Sequence, residues 1–231
     1  MTGLAPAERF SIIRDGIAVG VATGAYGVSF GAIAVAAGLS VPQACAMSLL
    51  MFTGASQFAL VGVIASGGAP LSGALTALLL GSRNTLYGLR LAPLLDLHGW
   101  RRTGAAHVLI DESTAMSVNR DSTSAARAGF WSTGISVFVL WNLATFAGAL
   151  AGTALGDPRA DGLVAAVGGA FLALLWPRLR TTPNRVVAVL AAALALGLVP
   201  VTEAGVPVLA AAGVAVVAGL VPRRRGARPR R

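Results

Sequence analysis

Leu80-Gly81-Ser82-Arg83-Asn84-Thr85-Leu86-Tyr87-Gly88-Leu89 places an arginine in the middle of an apolar run, residues 69–95, that is long enough to cross a membrane. As one helix the run would be ~40 Å long, with Arg83 close to its midpoint. An arginine at that depth costs roughly 2.5–3.5 kcal/mol even on the most lenient insertion scale, so it must meet a partner or water. Ser72, Thr76, Arg83, Tyr87 and Arg90 recur at helical spacing and predict one polar stripe, turned to protein or to a wet cavity and away from lipid. Gly81, Gly88 and Pro93 predict a break or kink in the same helix.

The rest of the chain is of the same class. Its 231 residues are 55% apolar, the mean hydropathy is +0.75, and the charges cluster in short segments between long apolar runs. The fold class expected is an all-α polytopic membrane protein of about seven or eight transmembrane or re-entrant helices. The predicted segments are 16–39, 43–66, 69–95, 104–119, 129–155, 161–177, 185–200 and 205–221. A short cytoplasmic leader, 1–15, precedes this single helical domain, 16–221, and a basic cytoplasmic tail, 222–231, follows it. The first run is longer than the ~7–15 apolar residues of a secretory signal and reads as a retained span. Val41-Pro42-Gln43 reads as a minimal turn, and Gly20/Gly24, Gly27/Gly31 and Gly148/Gly152 are spaced to let a neighbouring helix approach closely.

Segment 104–119 is the least certain to cross. It would be only ~24 Å long as a helix, and it carries Asp111-Glu112-Ser113-Thr114 at its centre, so it either spans among other helices or dips in and returns. Eight crossings with both termini cytoplasmic satisfy most of the arginine-rich loops, except that Arg101-Arg102 would lie outside. A re-entrant 104–119 makes the crossings seven and moves one terminus.

Composition also excludes functions. All 18 basic residues are arginine, so there is no Walker A lysine and no lysine Schiff base. Cys45 is the single cysteine and can form no internal disulfide; His98 and His107 lie in no zinc-binding pattern. No metal or cofactor is expected, and the acids come without a nucleophile pair, which disfavours an enzyme. The net charge of +9 is concentrated in the tail, where no aromatics interleave with the arginines; anionic lipid headgroups, not nucleic acid, are its expected contact.

The buried charges are expected to compensate one another, most simply Arg83 with Asp111 or Glu112. Such a pair can be a permanent brace between helices, or it can open for a solute or a proton. A guanidinium suits a carboxylate and a carboxylate suits an ammonium, so together they would suit a zwitterionic amino acid. The candidate substrate-binding residues are Arg83, Asn84, Tyr87, Ser56 and Gln57, with Asp111 and Glu112 as candidates for holding the amine or a proton.

Gly54-Ala55-Ser56-Gln57-Phe58, then Arg83 with Leu86-Tyr87-Gly88-Leu89, then Asp111-Glu112, resemble the AzlC family, the large subunits of bacterial branched-chain amino acid exporters. That family's arginine motif commonly reads Asn-x-Arg-His; Gly81 and Asn84 stand at its asparagine and histidine places here, so Arg83 carries over and the histidine does not. The resemblance implies efflux of branched-chain or similar apolar amino acids across the inner membrane. It also implies an ion gradient as the driving force and a small hydrophobic AzlD-type partner subunit. A non-transporting scaffold subunit, whose polar core only holds helices together, is the alternative.

Overall fold

The computed structural model of the chain describes residues 4–118, 120–154, 172, 176, 179–202 and 206–220, and among these it is helical with no strand. The helices are α1 (Pro6–Gly24), α2 (Tyr26–Ala36), α3 (Val41–Leu50), α4 (Ala55–Ala65), α5 (Pro70–Gly81), α6 (Arg83–Leu95), α7 (Trp100–His107), α8 (Asp111–Val118), α9 (Thr123–Ala154), α10 (Thr182–Leu198) and α11 (Val206–Leu220). The span predicted at 161–177 and the basic tail 222–231 lie outside the described residues, apart from Leu172 and Trp176.

Two long apolar helices form the spine. α1 and α2 bend at Ala25 and together make a 31-residue rod, and α9 has 32 residues; both are long and apolar enough to cross a membrane. They run parallel, side by side: Gly16 faces Thr133, Gly20 faces Ser136, Gly24 faces Leu140, Gly27 faces Ala144 and Gly31 faces Ala149. A methyl group on Gly24 would sit 2.6 Å from Leu140 Cβ, and one on Gly31 would sit 2.6 Å from Ala149 N and run into Thr145 O. From the other side Gly148 and Gly152 press on the backbone of Val28 and Ala32. The predicted small-residue faces are therefore the contact itself, and Ser136 Oγ seals it by donating to Gly16 O (3.0 Å). The rod begins at Pro6, well before residue 16, because proline suits a first helical position, where its missing N–H costs nothing.

The second apolar run does not continue as one helix. Val41-Pro42-Gln43, read above as a turn, is the first turn of α3: Ser40 Oγ accepts from Gln43 N (3.4 Å) and Gln43 Oε1 accepts from Ser40 N (2.8 Å). This reciprocal cap ties off two helix-end donors. α3 descends along α9, with Ser48 Oγ donating to Thr145 Oγ1 (3.3 Å) and Phe52 against Phe138 (5.0 Å between rings). The chain then reverses. Gln57 Nε2 donates to Met47 O (3.5 Å), ten residues back, a separation of ~15 Å along an unbroken helix. Gly54 makes the reversal possible at φ +59°, a backbone region that side chains disfavour, and its N–H is taken by Gln57 Oε1 (3.1 Å). α3 and α4 are thus a helical hairpin, and α5 returns antiparallel to α4, with Gly73 opposite Leu60 and Val63 and Gly81 opposite Ser56.

At Ser82 the chain kinks and continues as α6. The end of α6 is fixed to the start of α9 by Arg127, whose Nε and Nη2 donate to Leu95 O (2.6 Å) and Asp96 O (2.7 Å), two helix-end carbonyls that need donors. A second hairpin enters from this end. On α7, Gly104 lies near Trp131; at its tip His107 packs on Phe138 and Val108 on Gly134; on the way back, in α8, Met116 O presses on Gly129. Ser113 Oγ ties the tip by accepting from Ile110 N (3.0 Å) and reaching Val108 O (2.9 Å). Segment 104–119 therefore returns to the end it came from. The two hairpins point at each other from opposite ends of the spine, and their tips meet it near Val137 and Phe138.

Candidate functional site

The interruptions converge on one cavity of about 380 Å³, which Thr23 and Tyr26, Phe52 to Ala55, Leu80, Arg83 and Asn84, Ile110 to Glu112, and Val137 and Trp141 line together with Phe58. Thr23 and Tyr26 come from the bend between α1 and α2, Thr53 and Gly54 from one hairpin tip, Ile110 from the other, and Arg83 and Asn84 from the Ser82 kink. Among the described helices that line it, only α9 passes the cavity unbroken.

Arg83 and Asp111 meet here, with Nη2 3.1 Å from Oδ2 and side chains 33% and 26% exposed. The two come from different passes of the chain, α6 and α8. Asp111 and Glu112 occupy the first turn of α8, where the helix dipole favours negative charge. Arg83 is the first residue of α6, the end at which that dipole opposes a cation, so the carboxylate beside it offsets both the burial and the dipole. The same lining includes the apolar side chains of Phe52, Phe58, Ile110, Val137 and Trp141. Trp141 is stacked near Phe30 (6.1 Å) and edge-on to Phe58 (6.2 Å).

On residues that line the cavity, Thr53 Oγ1, Arg83 Nε, Asn84 Oδ1 and Trp141 Nε1 are fully buried without a hydrogen-bond partner among the described residues. Each forfeits the hydration it would have in water, a cost of about 1–3 kcal/mol per group unless something enters to bond it. Hydroxyls of Ser56, Thr114 and Thr133 are likewise unpaired but do not line the cavity.

Of the predicted site residues the fold gathers Arg83, Asn84, Asp111 and Glu112 around the cavity. Gln57, fully buried, spends both ends of its amide on the hairpin backbone and is turned away from the lining. Ser56 lies under Gly81, and Tyr87 sits half-buried one turn beyond Arg83; neither lines the cavity. The predicted polar stripe ends at the Ser82 kink: Thr76 Oγ1 donates to Ser72 O of its own helix (2.8 Å), and Arg90 is exposed. Reading the sequence for charge missed Trp141. Its signal was a tryptophan at the centre of a long apolar span, far from the interfacial positions tryptophan prefers.

A larger groove, about 760 Å³, runs along the outside of α1 and α9 between Ile13, Ile17, Ile135, Val139 and Leu140, with Arg9 and Arg127 at one end. Its lining carries no carboxylate, unlike that of the smaller cavity. Among the described residues no group of three or more His, Cys, Asp or Glu side chains is placed to hold a metal ion.

A family model described as "AzlC protein" matches residues 18–155. An uncharacterized membrane protein of Archaeoglobus fulgidus is 33% identical over 188 residues, which covers 80% of this chain and 83% of the relative. An uncharacterized membrane protein of Helicobacter pylori is 30% identical over 90 residues, covering 39% of this chain and 40% of the relative. No solved structure matches the chain. The matched stretch contains the end of α1, all of α2 and α9, both hairpins and every cavity-lining residue.

Proposed function

From the premise that the chain belongs to the AzlC family, a family of membrane transport proteins, we propose that it is a secondary transporter that exports branched-chain or similar apolar amino acids. The observation that carries this is the Arg83–Asp111 pair, 3.1 Å apart, in the lining of a cavity that is otherwise largely apolar. Arg83 would take the substrate carboxylate, Asp111 and Glu112 the amine or a coupled proton, and Phe52, Phe58, Ile110 and Val137 the side chain. Broken helices whose ends meet at mid-depth are a recurring way for transporters to build such a site.

The same reading makes this a polytopic protein of the bacterial inner membrane, with α3–α4 and α7–α8 re-entrant. Arg9, Arg101, Arg102, Arg120 and Arg127 then share one end, while segments 37–41 and 66–69 at the other carry no charge. By the positive-inside rule the arginine end is cytoplasmic. Arg101-Arg102, misplaced if residues 43–66 cross, fall on the expected side once that segment turns back as α3–α4. Two hairpins in place of two crossings keep the number of crossings even, which keeps the C-terminal tail with the N-terminus on the cytoplasmic side. A small hydrophobic AzlD-type subunit is the expected partner, and an inward proton gradient the expected drive.

The test is efflux of preloaded labelled leucine, isoleucine, valine or methionine from cells carrying the wild type or Arg83→Ala, with folded protein measured in the membrane. The wild type should export and the variant should not. Export by Arg83→Ala at wild-type levels would remove Arg83 from the substrate site. It would favour a scaffold subunit, the second reading, which the already closed ion pair supports. Proton coupling predicts that a protonophore or raised external pH slows efflux; insensitivity to both counts against it.

A further inference from the structure

We propose that Trp141 is a substrate-binding residue, its indole N–H donating to the same anionic group that Arg83 holds. The inference rests on the exporter reading and adds a donor that nothing in the charge pattern indicates. Trp141 lines the cavity and is 4% exposed, and its Nε1 is buried without an acceptor among the described residues. An indole N–H can only donate, so no rotation of a neighbouring hydroxyl removes the deficit unless that neighbour offers an oxygen. Phe30 and Phe58 pack against the ring, and turning it would disturb both contacts.

Arg83 repeats the pattern. Its Nη2 is committed to Asp111 while its Nε, also a pure donor, is buried without an acceptor among the described residues. Two orphan donors on residues that line one cavity suit a ligand that brings several acceptor sites, and a carboxylate has two oxygens with about four lone-pair sites. Buried apolar surroundings strengthen such a bond, because no water competes for it. The pair of donors would bracket the carboxylate between α6 and α9, leaving the ammonium toward the acids on α8.

Trp141→Phe keeps the ring and its packing and removes only the N–H. The ligands are leucine and isopentylamine, which is leucine without its carboxylate, bound to the purified full-length protein in lipid nanodiscs. Losing a hydrogen bond to a charged group should weaken leucine about tenfold or more and leave isopentylamine unchanged. Equal weakening of both ligands, or of neither, overturns the proposal. If Trp141→Phe fails to fold, the variant W100F/W131F/W176F retains Trp141 as the only indole. Leucine must then shift its fluorescence and isopentylamine must not; any other pattern overturns the proposal. A wild type that binds no apolar amino acid overturns the exporter reading itself, a result that Trp141→Phe alone cannot produce.

Discussion

Exchanging the two members of the central ion pair, Arg83→Asp with Asp111→Arg, separates a brace from a binding site. At the observed 3.1 Å, the gross Coulomb attraction is about 5 kcal/mol for an effective dielectric of 20. The side chains are 33% and 26% exposed, so solvent screens part of this and desolvation opposes the rest; ~1–3 kcal/mol is the net expected. Arg83→Ala should therefore lower the thermal midpoint by several degrees, at about 2–4 °C per kcal/mol for a chain of this size. The exchanged protein restores an ion pair of the same reach and should recover most of that loss. Export should not recover. The guanidinium would then project from α8 and the acid from α6, so a zwitterion could satisfy both only by turning its side chain away from Phe52, Phe58 and Val137. A fall of at least ~100-fold in efflux rate follows if that misplacement forfeits ~3 kcal/mol. Thermal unfolding of detergent-solubilised protein and efflux of labelled leucine measure the two quantities. Recovery of both stability and export would refute the reasoning and leave the pair as a brace.

Three further outcomes are expected. Gly31→Ala, which drives a methyl into Thr145 O and Ala149 N, should cost ~1–3 kcal/mol, whereas Gly62→Ala, with nothing within 4 Å, should be neutral or slightly stabilising; size-exclusion profiles after graded heating compare them. Gln57→Leu orphans Gly54 N and Met47 O at the hairpin and should reduce folded yield by ~1–3 kcal/mol of stability, while KM for efflux per folded molecule stays unchanged; a raised KM would return Gln57 to the site. In a Cys45→Ala background, Glu8→Cys and Arg102→Cys should react with a membrane-impermeant thiol reagent from the same side; labelling from opposite sides would mean that segment 43–66 crosses instead of turning back at Gly54.

Much of this was legible because helix contacts in apolar surroundings depend on small residues at regular spacing, which sequence displays directly. Gly20, Gly24, Gly27, Gly31, Gly148 and Gly152 fall on the spine contact for that reason. The partnership of Arg83 with the Asp111-Glu112 patch was legible because buried charge of one sign demands the other. The first hairpin was not, since an apolar run over 41–65 has the same hydropathy whether it crosses once or turns back. What distinguishes the two is local: Ser40-x-x-Gln43 opening a helix, and Gly54 followed by Gln57 closing a turn on itself. Arg90 was misplaced for a related reason. A stripe extrapolated through an unbroken helix loses phase at the Ser82 kink, and beyond it the buried face becomes Leu91 and Leu95.

The interruptions also account for which buried polar residues are structural. A backbone that stops being helical inside an apolar bundle leaves N–H and C=O groups that no water can satisfy, so each break must be supplied with side-chain partners or line a wet cavity. At the first hairpin Gln57 is the supply, taking Gly54 N and Met47 O; at the second it is Ser113, serving Ile110 N and Val108 O; at the kink Ser82 Oγ reaches back to Leu79 O (2.7 Å). These side chains, however polar, have little hydrogen-bonding capacity left for a ligand. Subtracting them from the polar residues of the interior separates Thr53, Asn84 and Trp141, which serve no break, and the Arg83–Asp111 pair, which joins two passes of the chain without repairing either. That division also sets the expected contrast between variants: changes at Gln57 or Ser113 should act through folding, and changes at Arg83 or Trp141 through affinity.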